Sequence, residues 1–185
     1  MTGRDRNPSA PAQRLPVVVL ALAGCAVSTY LALYQYEVLG SVWDPFFGDG
    51  SRKVLTSALS RSLPVRDAAL GAAAYLFEAV LEASGGRHRR RERPWLVLLV
   101  GAVAAALAVT GIVLTVAQPV LTGTFCTLCL SSAAISILVA VLVGREAGPT
   151  LHLTLRQMRD GTPLRQAVQG PGRASAGRSG DAVPR

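Results

Sequence analysis

Two cysteines separated by two residues, Cys126 and Cys129, open the last long apolar segment of this 185-residue chain. At the first turn of a helix this spacing places both sulfurs on one face, within reach of a disulfide. The unpaired amides and the positive end of the helix dipole stabilise a thiolate at the same place. The pattern therefore predicts a pair that cycles between dithiol and disulfide.

Two other interpretations of the pair stay open. It could be half of a metal site, or two small buried apolar residues that happen to be cysteines. A structural zinc site needs four ligands, and no second Cys or His cluster accompanies the pair, because His88 and His152 are predicted on the opposite side of the membrane. We therefore predict no metal site, while the packing interpretation stays open because free cysteines are common in protein cores.

The composition is that of an integral membrane protein. Half of the residues are hydrophobic and only 16% are charged, which is too apolar for a soluble domain. Backbone amides in hydrocarbon must be satisfied within their own segment, so apolar runs near the ~20 residues that a bilayer demands are predicted helices. We predict an all-α fold, a bundle of four transmembrane helices within residues 15–144. The predicted spans are residues 15–35, 67–83, 95–116 and 126–143.

The arginines predict the orientation of this bundle in the cell membrane. Basic residues in short loops stay cytoplasmic, so both termini are predicted inside and the cysteine pair faces the extracytoplasmic side, where disulfides persist. The clusters precede the first span, fill the turn between the second and third, and follow the fourth: Arg4, Arg6, Arg14; Arg87, Arg89, Arg90, Arg91, Arg93; Arg145, Arg156, Arg159.

We attribute the net charge of +8 to interactions at the membrane surface. The arginine turn lies between two spans, where orientation and anionic lipid head groups account for it, so lipid and not nucleic acid is the predicted partner. Residues 1–14 are predicted to be a cytoplasmic tail. Residues 145–185 are predicted to be a basic cytoplasmic tail, largely disordered, in which Thr150 to Asp160 could form a short amphipathic helix.

The third cysteine, Cys25, follows Leu22-Ala23-Gly24 after a basic leader, which imitates a bacterial lipoprotein attachment site. The chain stays apolar through Leu33, where a processed lipoprotein would turn polar, and the run is too long for a signal peptide. About ten residues of 1.5 Å rise separate Cys25 from the outer end of its helix, too far to bridge to the pair. We predict that Cys25 is a packing residue.

Acidic residues in the second span raise a separate question. An ionisable group within a span is a functional hypothesis, for instance a proton path. Glu78 and Glu82 lie near the cytoplasmic end, however, which favours snorkelling or pairing with Arg87 or Arg89. Asp67 is expected to cap the start of the same helix.

Several short motifs, in order, resemble the vitamin K epoxide reductase family of membrane thiol oxidoreductases over Leu15 to Gly144. The motifs are Ser28-Thr29-Tyr30-Leu31, Val54-Leu55-Thr56-Ser57, Leu63-Pro64-Val65, Leu70-Gly71, Tyr75-Leu76 and Phe125-Cys126-x-x-Cys129-Leu130. In that family the cysteine pair reduces a bound quinone or quinone epoxide. Its electrons come from a second cysteine pair in the first outer loop, which a thioredoxin-like extracytoplasmic partner serves.

The resemblance implies roles for individual residues. Cys129 is expected to meet the quinone, of the menaquinone or ubiquinone type, and Cys126 to exchange with the electron donor. Ser57 and Tyr75 are expected at the quinone site. Three loop aromatics, Trp43, Phe46 and Phe47, could cover the quinone ring or anchor the loop at head-group depth, and the two roles are compatible.

The first outer loop departs from the family pattern because it contains no cysteine. Ser51 stands where the second loop cysteine is expected, so an internal relay is impossible. The favoured hypothesis is that a partner's thiolate attacks the Cys126–Cys129 disulfide directly and a quinone reoxidises the pair. The alternatives are that the protein binds a quinone or another hydrophobic ligand without turnover, or that it is a structural module in a membrane assembly.

Overall fold

The computed structural model describes residues 11–57, 66–84 and 94–160, and the regular structure within them is entirely helical. These described ranges contain five helices. Three of them contain segments long and apolar enough to cross a membrane, namely Arg14–Gln35, Pro94–Thr122 and Thr127–Arg159. The helices are α1 (Pro11–Gln35), α2 (Gly50–Leu55), α3 (Asp67–Ala83), α4 (Pro94–Thr122) and α5 (Thr127–Arg159).

The all-α class is thus confirmed for the described residues. Helix α3 coincides with the predicted second span, but its 17 residues make it shorter than the three candidate spans. The predictions for residues 1–10, for the turn containing Arg87 to Arg93, for the motif Leu63-Pro64-Val65 and for residues 161–185 lie outside the described residues.

The long helices pack as two pairs, α1 with α3 and α4 with α5, and α1 joins the pairs through its contacts with α5. Small residues set the closest approaches, as is common where helices pack without a hydrophobic driving force. A Cβ on Gly24 would lie 2.6 Å from the Tyr75 ring, and one on Gly101 would lie 2.7 Å from the Ala147 side chain. The sequence therefore brings α1 against α3 and α4 against α5 at glycines.

Two apolar clusters divide the core. One joins α1, α4 and α5 through Val17, Val100 and Val143. The other lies at the opposite end of α1, where Leu31 and Leu55 pack with Cys126. We call this second end, with α2 and the start of α5, the cysteine end of the bundle. The end with Arg14 and the last turn of α3 is the arginine end.

Helices α4 and α5 are longer than the sequence predicted. Helix α4 continues six residues beyond 116 to Thr122, through Pro119. The helix predicted to end at residue 143 continues through Pro149 to Arg159, so the predicted break before Thr150 is wrong. The reason lies in the buried face of α5, which Glu146, Thr150 and Thr154 extend at helical spacing.

An ion pair ties the arginine end together. Arg14 Nε lies 3.3 Å from Glu82 Oε2, and both side chains are buried. The same guanidinium donates to the backbone carbonyls of Glu82 and Ser84. Glu82 therefore pairs with Arg14 of α1. Glu78 and Glu82 are both buried inside the bundle, Glu78 completely, and so do not extend to the surface. The alternative prediction, pairing with Arg87 or Arg89, lies outside the described residues.

The start of α3 is capped by a neighbouring helix. Arg66 is the N-cap residue and contributes no side-chain hydrogen bond, so Asp67 is the first helical residue and does not cap the helix as predicted. Gln35, the last residue of α1, instead accepts the Ala68 amide at 3.3 Å and donates to Asp67 Oδ1 at 2.6 Å. This exchange fixes α1 to α3 at the cysteine end.

Candidate functional site

Cys126 is the N-cap residue of α5. Its backbone is extended (φ −109°, ψ 116°), and its Sγ accepts the backbone N–H of Cys129 at 3.1 Å. One of the unpaired amides of the first turn is thereby satisfied by sulfur. The position favours the thiolate form of Cys126, which faces the positive end of the helix dipole. Cys126 and Cys129 are free thiols, on one turn of helix as their spacing predicted.

A buried glutamine fixes the approach of the chain to this turn. Only residues 123–126 connect α4 to α5, and Gly123 makes the turn with a positive φ of 66° that suits glycine. Gln118, one turn before the end of α4, accepts the Cys126 N–H on Oε1 at 2.9 Å. The Cys126 backbone is therefore held from both sides, by the α4 side chain and by α5.

Residues 42–57, which include α2, form what we call the cap over Cys126. Asp44 organises the cap, since one carboxylate oxygen accepts the Ser51 amide and hydroxyl at 2.9 and 2.7 Å. The other oxygen accepts the Phe47 amide at 3.1 Å and the hydroxyl of Thr127, the first residue of α5. Partial burial acts to raise the pKa of Asp44, but these hydrogen bonds outweigh it and lower the pKa to about 2.

Ser51 of the cap covers Cys126. Ser51 and Cys126 both have no exposed surface, and the Ser51 side chain lies beside the Cys126 thiol. The approach of α2 depends on Gly50, because a Cβ there would lie 2.2 Å from the carbonyl oxygen of Phe125. Ser51, which the resemblance aligns with an expected loop cysteine, thus lies beside the thiol of Cys126.

Replacing Asp44 with asparagine is expected to loosen the cap. The amide group presents only one acceptor oxygen where the carboxylate serves donors on both sides, so one set of hydrogen bonds is lost. We expect maleimide to label Cys126 about tenfold faster than in the unmodified protein, measured with Cys25 and Cys129 replaced by serine.

The matched control for Asp44→Asn is Asp49→Asn, which removes an exposed ion pair with Arg52 and should leave the labelling rate unchanged. Because the folded pKa of Asp44 is lowered, its contribution is fully present above the unfolded value near pH 4 and is lost only as the pH falls toward 2. Equal labelling rates for Asp44→Asn and its control would contradict the role given to Asp44.

A cavity of about 580 Å³ lies beside the pair, within the volume range of ligand sites. Its walls are mostly apolar and come chiefly from α3 and α4. Cys129, which is half-buried, lines the cavity, whereas Cys126 does not. The polar side chains of the lining at the cysteine end are Ser57, Asp67, Gln118 and Thr122.

The structure brings three of the predicted site residues together along this cavity, Cys129, Ser57 and Tyr75. Tyr75 contributes its ring to the wall and is only 1% exposed. Its hydroxyl donates to the Ser132 carbonyl at 2.6 Å and also contacts the Ser136 hydroxyl. The hydroxyl is thus hydrogen-bonded to α5, so the aromatic ring is the part of Tyr75 that can contact a ligand.

The three aromatic residues of the first outer loop lie outside the cavity. Trp43, Phe46 and Phe47 are 68%, 79% and 40% exposed and do not line the cavity. The Phe47 ring packs against Phe125, with ring centroids 5.7 Å apart. These contacts place the aromatic residues on the outside of the cap, where they suit anchoring at the head groups better than covering a ring in the cavity.

Among the described residues, no group of three or more His, Cys, Asp or Glu side chains is arranged to hold a metal ion. Cys25 is half-buried in the middle of α1 and does not line the cavity. The thiols next to the cavity are those of the Cys126–Cys129 pair, and Cys129 faces into it.

Comparison with known proteins bears on this site. A model of the vitamin K epoxide reductase family matches residues 15–143, more than half of the chain. The matched region contains the cap, α3, α4 and the first half of α5, with both cysteines of the pair. The comparison with curated proteins found no match.

Proposed function

Because the chain belongs to the vitamin K epoxide reductase family, we propose that it is a multi-pass membrane thiol oxidoreductase in which Cys126 and Cys129 exchange electrons with a quinone. The position of Cys129 carries this proposal. Its thiol lines an apolar cavity of ligand size, one helical turn from a second thiol held at the helix N-cap. The acceptor is a quinone of the menaquinone or ubiquinone type.

The proposed topology has four spans, with α3 as the second, and both termini in the cytoplasm. Helix α3 measures about 26 Å at 1.5 Å per residue, close to the thickness of a bilayer core. Arg14, Arg145 and Arg156 belong to the arginine end or extend beyond it, which the positive-inside rule assigns to the cytoplasm. The pair and the cap then face the extracytoplasmic side of the cell membrane, an oxidising compartment.

The reaction proceeds by thiol–disulfide exchange followed by quinone reduction. A thiolate of a thioredoxin-like extracytoplasmic partner attacks Cys126 in the Cys126–Cys129 disulfide and releases the Cys129 thiolate. A second partner thiol displaces Cys126, which leaves the partner oxidised and the pair reduced. The pair then closes to a disulfide, and its two electrons and two protons pass to the quinone, which leaves as hydroquinone.

The cap imposes a condition on the first step. Cys126 is buried beneath Ser51, and a serine hydroxyl cannot form a disulfide, so the cap carries no electrons itself. The partner's thiol must therefore reach Cys126 after α2 has moved aside. Opening of the Asp44 network that holds the cap on Thr127 is the proposed means of access.

The same burial favours a second candidate function. With Cys126 fully covered and the loop cysteines replaced, the protein could hold a quinone or another hydrophobic ligand in the cavity without turnover, as a binding or structural module of a membrane assembly. The two functions differ in one observable, because a binding module takes up the quinone without reducing it.

Turnover by the purified protein in lipid nanodiscs tests the proposed function. Dithiothreitol replaces the partner, decylbenzoquinone is the acceptor, and its loss is followed by absorbance against nanodiscs without protein. We expect quinone reduction above that background, at rates that saturate with quinone concentration. Saturable quinone binding with reduction no faster than the background would instead establish the binding module.

A further inference from the structure

We propose that Gln118 donates the hydrogen bond that recognises a carbonyl oxygen of the ligand held next to Cys129. This inference deepens the proposed function and rests on it. Gln118 lies in the last two turns of α4, lines the cavity and is only 5% exposed. It is thus a polar side chain more than nine-tenths buried in the wall of a mostly apolar cavity.

The orientation of the Gln118 amide follows from its partner. The backbone N–H of Cys126 can only donate, so the atom that faces it at 2.9 Å must be the Gln118 oxygen. The NH₂ group is consequently the other end of the amide. Since Cys126 fixes the oxygen, the side chain cannot flip without losing this hydrogen bond.

The NH₂ group has no hydrogen-bond partner within the described ranges 11–57, 66–84 and 94–160. Because the side chain lines the cavity, a ligand oxygen placed against the NH₂ group would accept a hydrogen bond in a mostly apolar site. The Gln118 amide can therefore donate to an acceptor that the described residues do not supply.

Most of the other polar groups that line the cavity are less suited to this task. Thr115 has a buried hydroxyl without a hydrogen-bond partner among the described residues, but it makes no hydrogen bond to the pair and so cannot fix a ligand relative to it. The Tyr75 hydroxyl is bonded to Ser132 and Ser136, and the Thr122 hydroxyl donates to the Gln118 carbonyl at 2.7 Å. Asp67 accepts from Gln35 and, as a carboxylate, has no proton to donate.

The chemistry of a quinone matches what Gln118 offers. A quinone carries carbonyl acceptors and no donor, and negative charge develops on its oxygens as electrons arrive. A donor fixed beforehand in an apolar site stabilises that charge more than it stabilises the neutral ring. Because one amide holds both the Cys126 backbone and the ligand oxygen, Gln118 also sets the position of the ligand relative to the pair.

The test compares two ligands that differ in their carbonyl groups, decylbenzoquinone and decylbenzene. Binding is measured in a Cys129→Ser background that cannot turn over, with Gln118 intact and with Gln118→Met, which has a similar volume. We expect Gln118→Met to weaken decylbenzoquinone binding about tenfold and to leave decylbenzene binding unchanged. The matched control is Thr154→Val, which removes a buried hydroxyl of α5 that does not line the cavity. It should bind both probes as the parent does.

The outcomes separate this inference from the proposed function. Equal decylbenzoquinone binding with and without Gln118 would overturn the inference while the quinone site stands. No binding of the quinone by the Gln118-containing parent would overturn both. If Gln118→Met binds neither probe, the NMR signal of the Gln118 side-chain amide in the parent decides. A shift with decylbenzoquinone but not with decylbenzene supports the inference, and no shift overturns it.

Discussion

Replacement of Cys129 by serine is expected to abolish quinone reduction, with a fall in turnover of about a thousandfold or more, down to the rate without protein. Cys129 is the thiol that lines the cavity, and a hydroxyl can neither form the disulfide nor give up its electrons to a quinone. Cys126→Ser should be equally inactive, because a disulfide needs both sulfurs. The rate of decylbenzoquinone loss in nanodiscs measures both variants.

Cys25→Ser is the matched control for these substitutions. Cys25 is the remaining cysteine of the chain, lies in the middle of α1 and does not line the cavity, so its variant should keep the full rate. The two inactive variants should still bind decylbenzoquinone, since the cavity walls are unchanged. Substantial quinone reduction by Cys129→Ser would contradict the assignment of the chemistry to this pair.

The second large effect is expected on stability, at the opposite end of the bundle. Arg14→Met leaves the buried Glu82 carboxylate without the guanidinium that pairs with it, and breaking a buried pair in this way costs about 3–5 kcal/mol. The two backbone carbonyls that Arg14 serves on α3 lose their donor as well. Unfolding of the protein in mixed micelles with increasing dodecyl sulfate, followed by circular dichroism, measures the loss.

Two further variants show whether burial of the charge is the cause. Arg52→Met breaks an exposed ion pair with Asp49 and should cost less than about 1 kcal/mol. Arg14→Met combined with Glu82→Leu removes both charges, so it should recover much of the stability that Arg14→Met alone loses. If Arg14→Met were no more harmful than Arg52→Met, the ion pair would not be what joins α1 to α3.

Local features of the sequence were enough to predict several parts of this structure. Long apolar runs predicted the helices, because hydrocarbon leaves the backbone no other way to satisfy its amides. The spacing of Cys126 and Cys129 predicted that they share the first turn of a helix, since that geometry is set by the helix itself. The helix boundaries were less predictable, because Pro119 and Pro149 each favour a local break although α4 and α5 continue through them. In α5 the buried face carries the helix past Pro149.

Contacts between distant residues were the part that local patterns could not supply. Glu82 contacts Arg14, which α1 brings to it across 68 positions of the chain, and no local pattern predicts that contact. The sequence alone suggested no role for Asp44, yet it reaches Thr127 on α5. Gln118 lies beyond the predicted third span, and neither its burial nor its bond to Cys126 has a local signal.

The contact of Ser51 with Cys126 gives the departure from the family pattern a physical meaning. The loop packs on the pair as a relay would need to, but it presents a hydroxyl where the exchange of electrons requires a sulfur. Under the proposed function, the cap covers the pair without exchanging electrons with it. We propose that the electron donor to Cys126 reaches the thiol by displacing α2.

An anaerobic titration of the fully reduced protein with decylbenzoquinone tests the central claim most directly. Excess reductant is removed first, and the remaining thiols and the disulfide formed are identified by alkylation and mass spectrometry. We predict that each quinone consumed removes two thiols and leaves a disulfide between Cys126 and Cys129, with Cys25 still free. A reduced pair that persists beside excess quinone would contradict the claim that these cysteines pass electrons to a quinone.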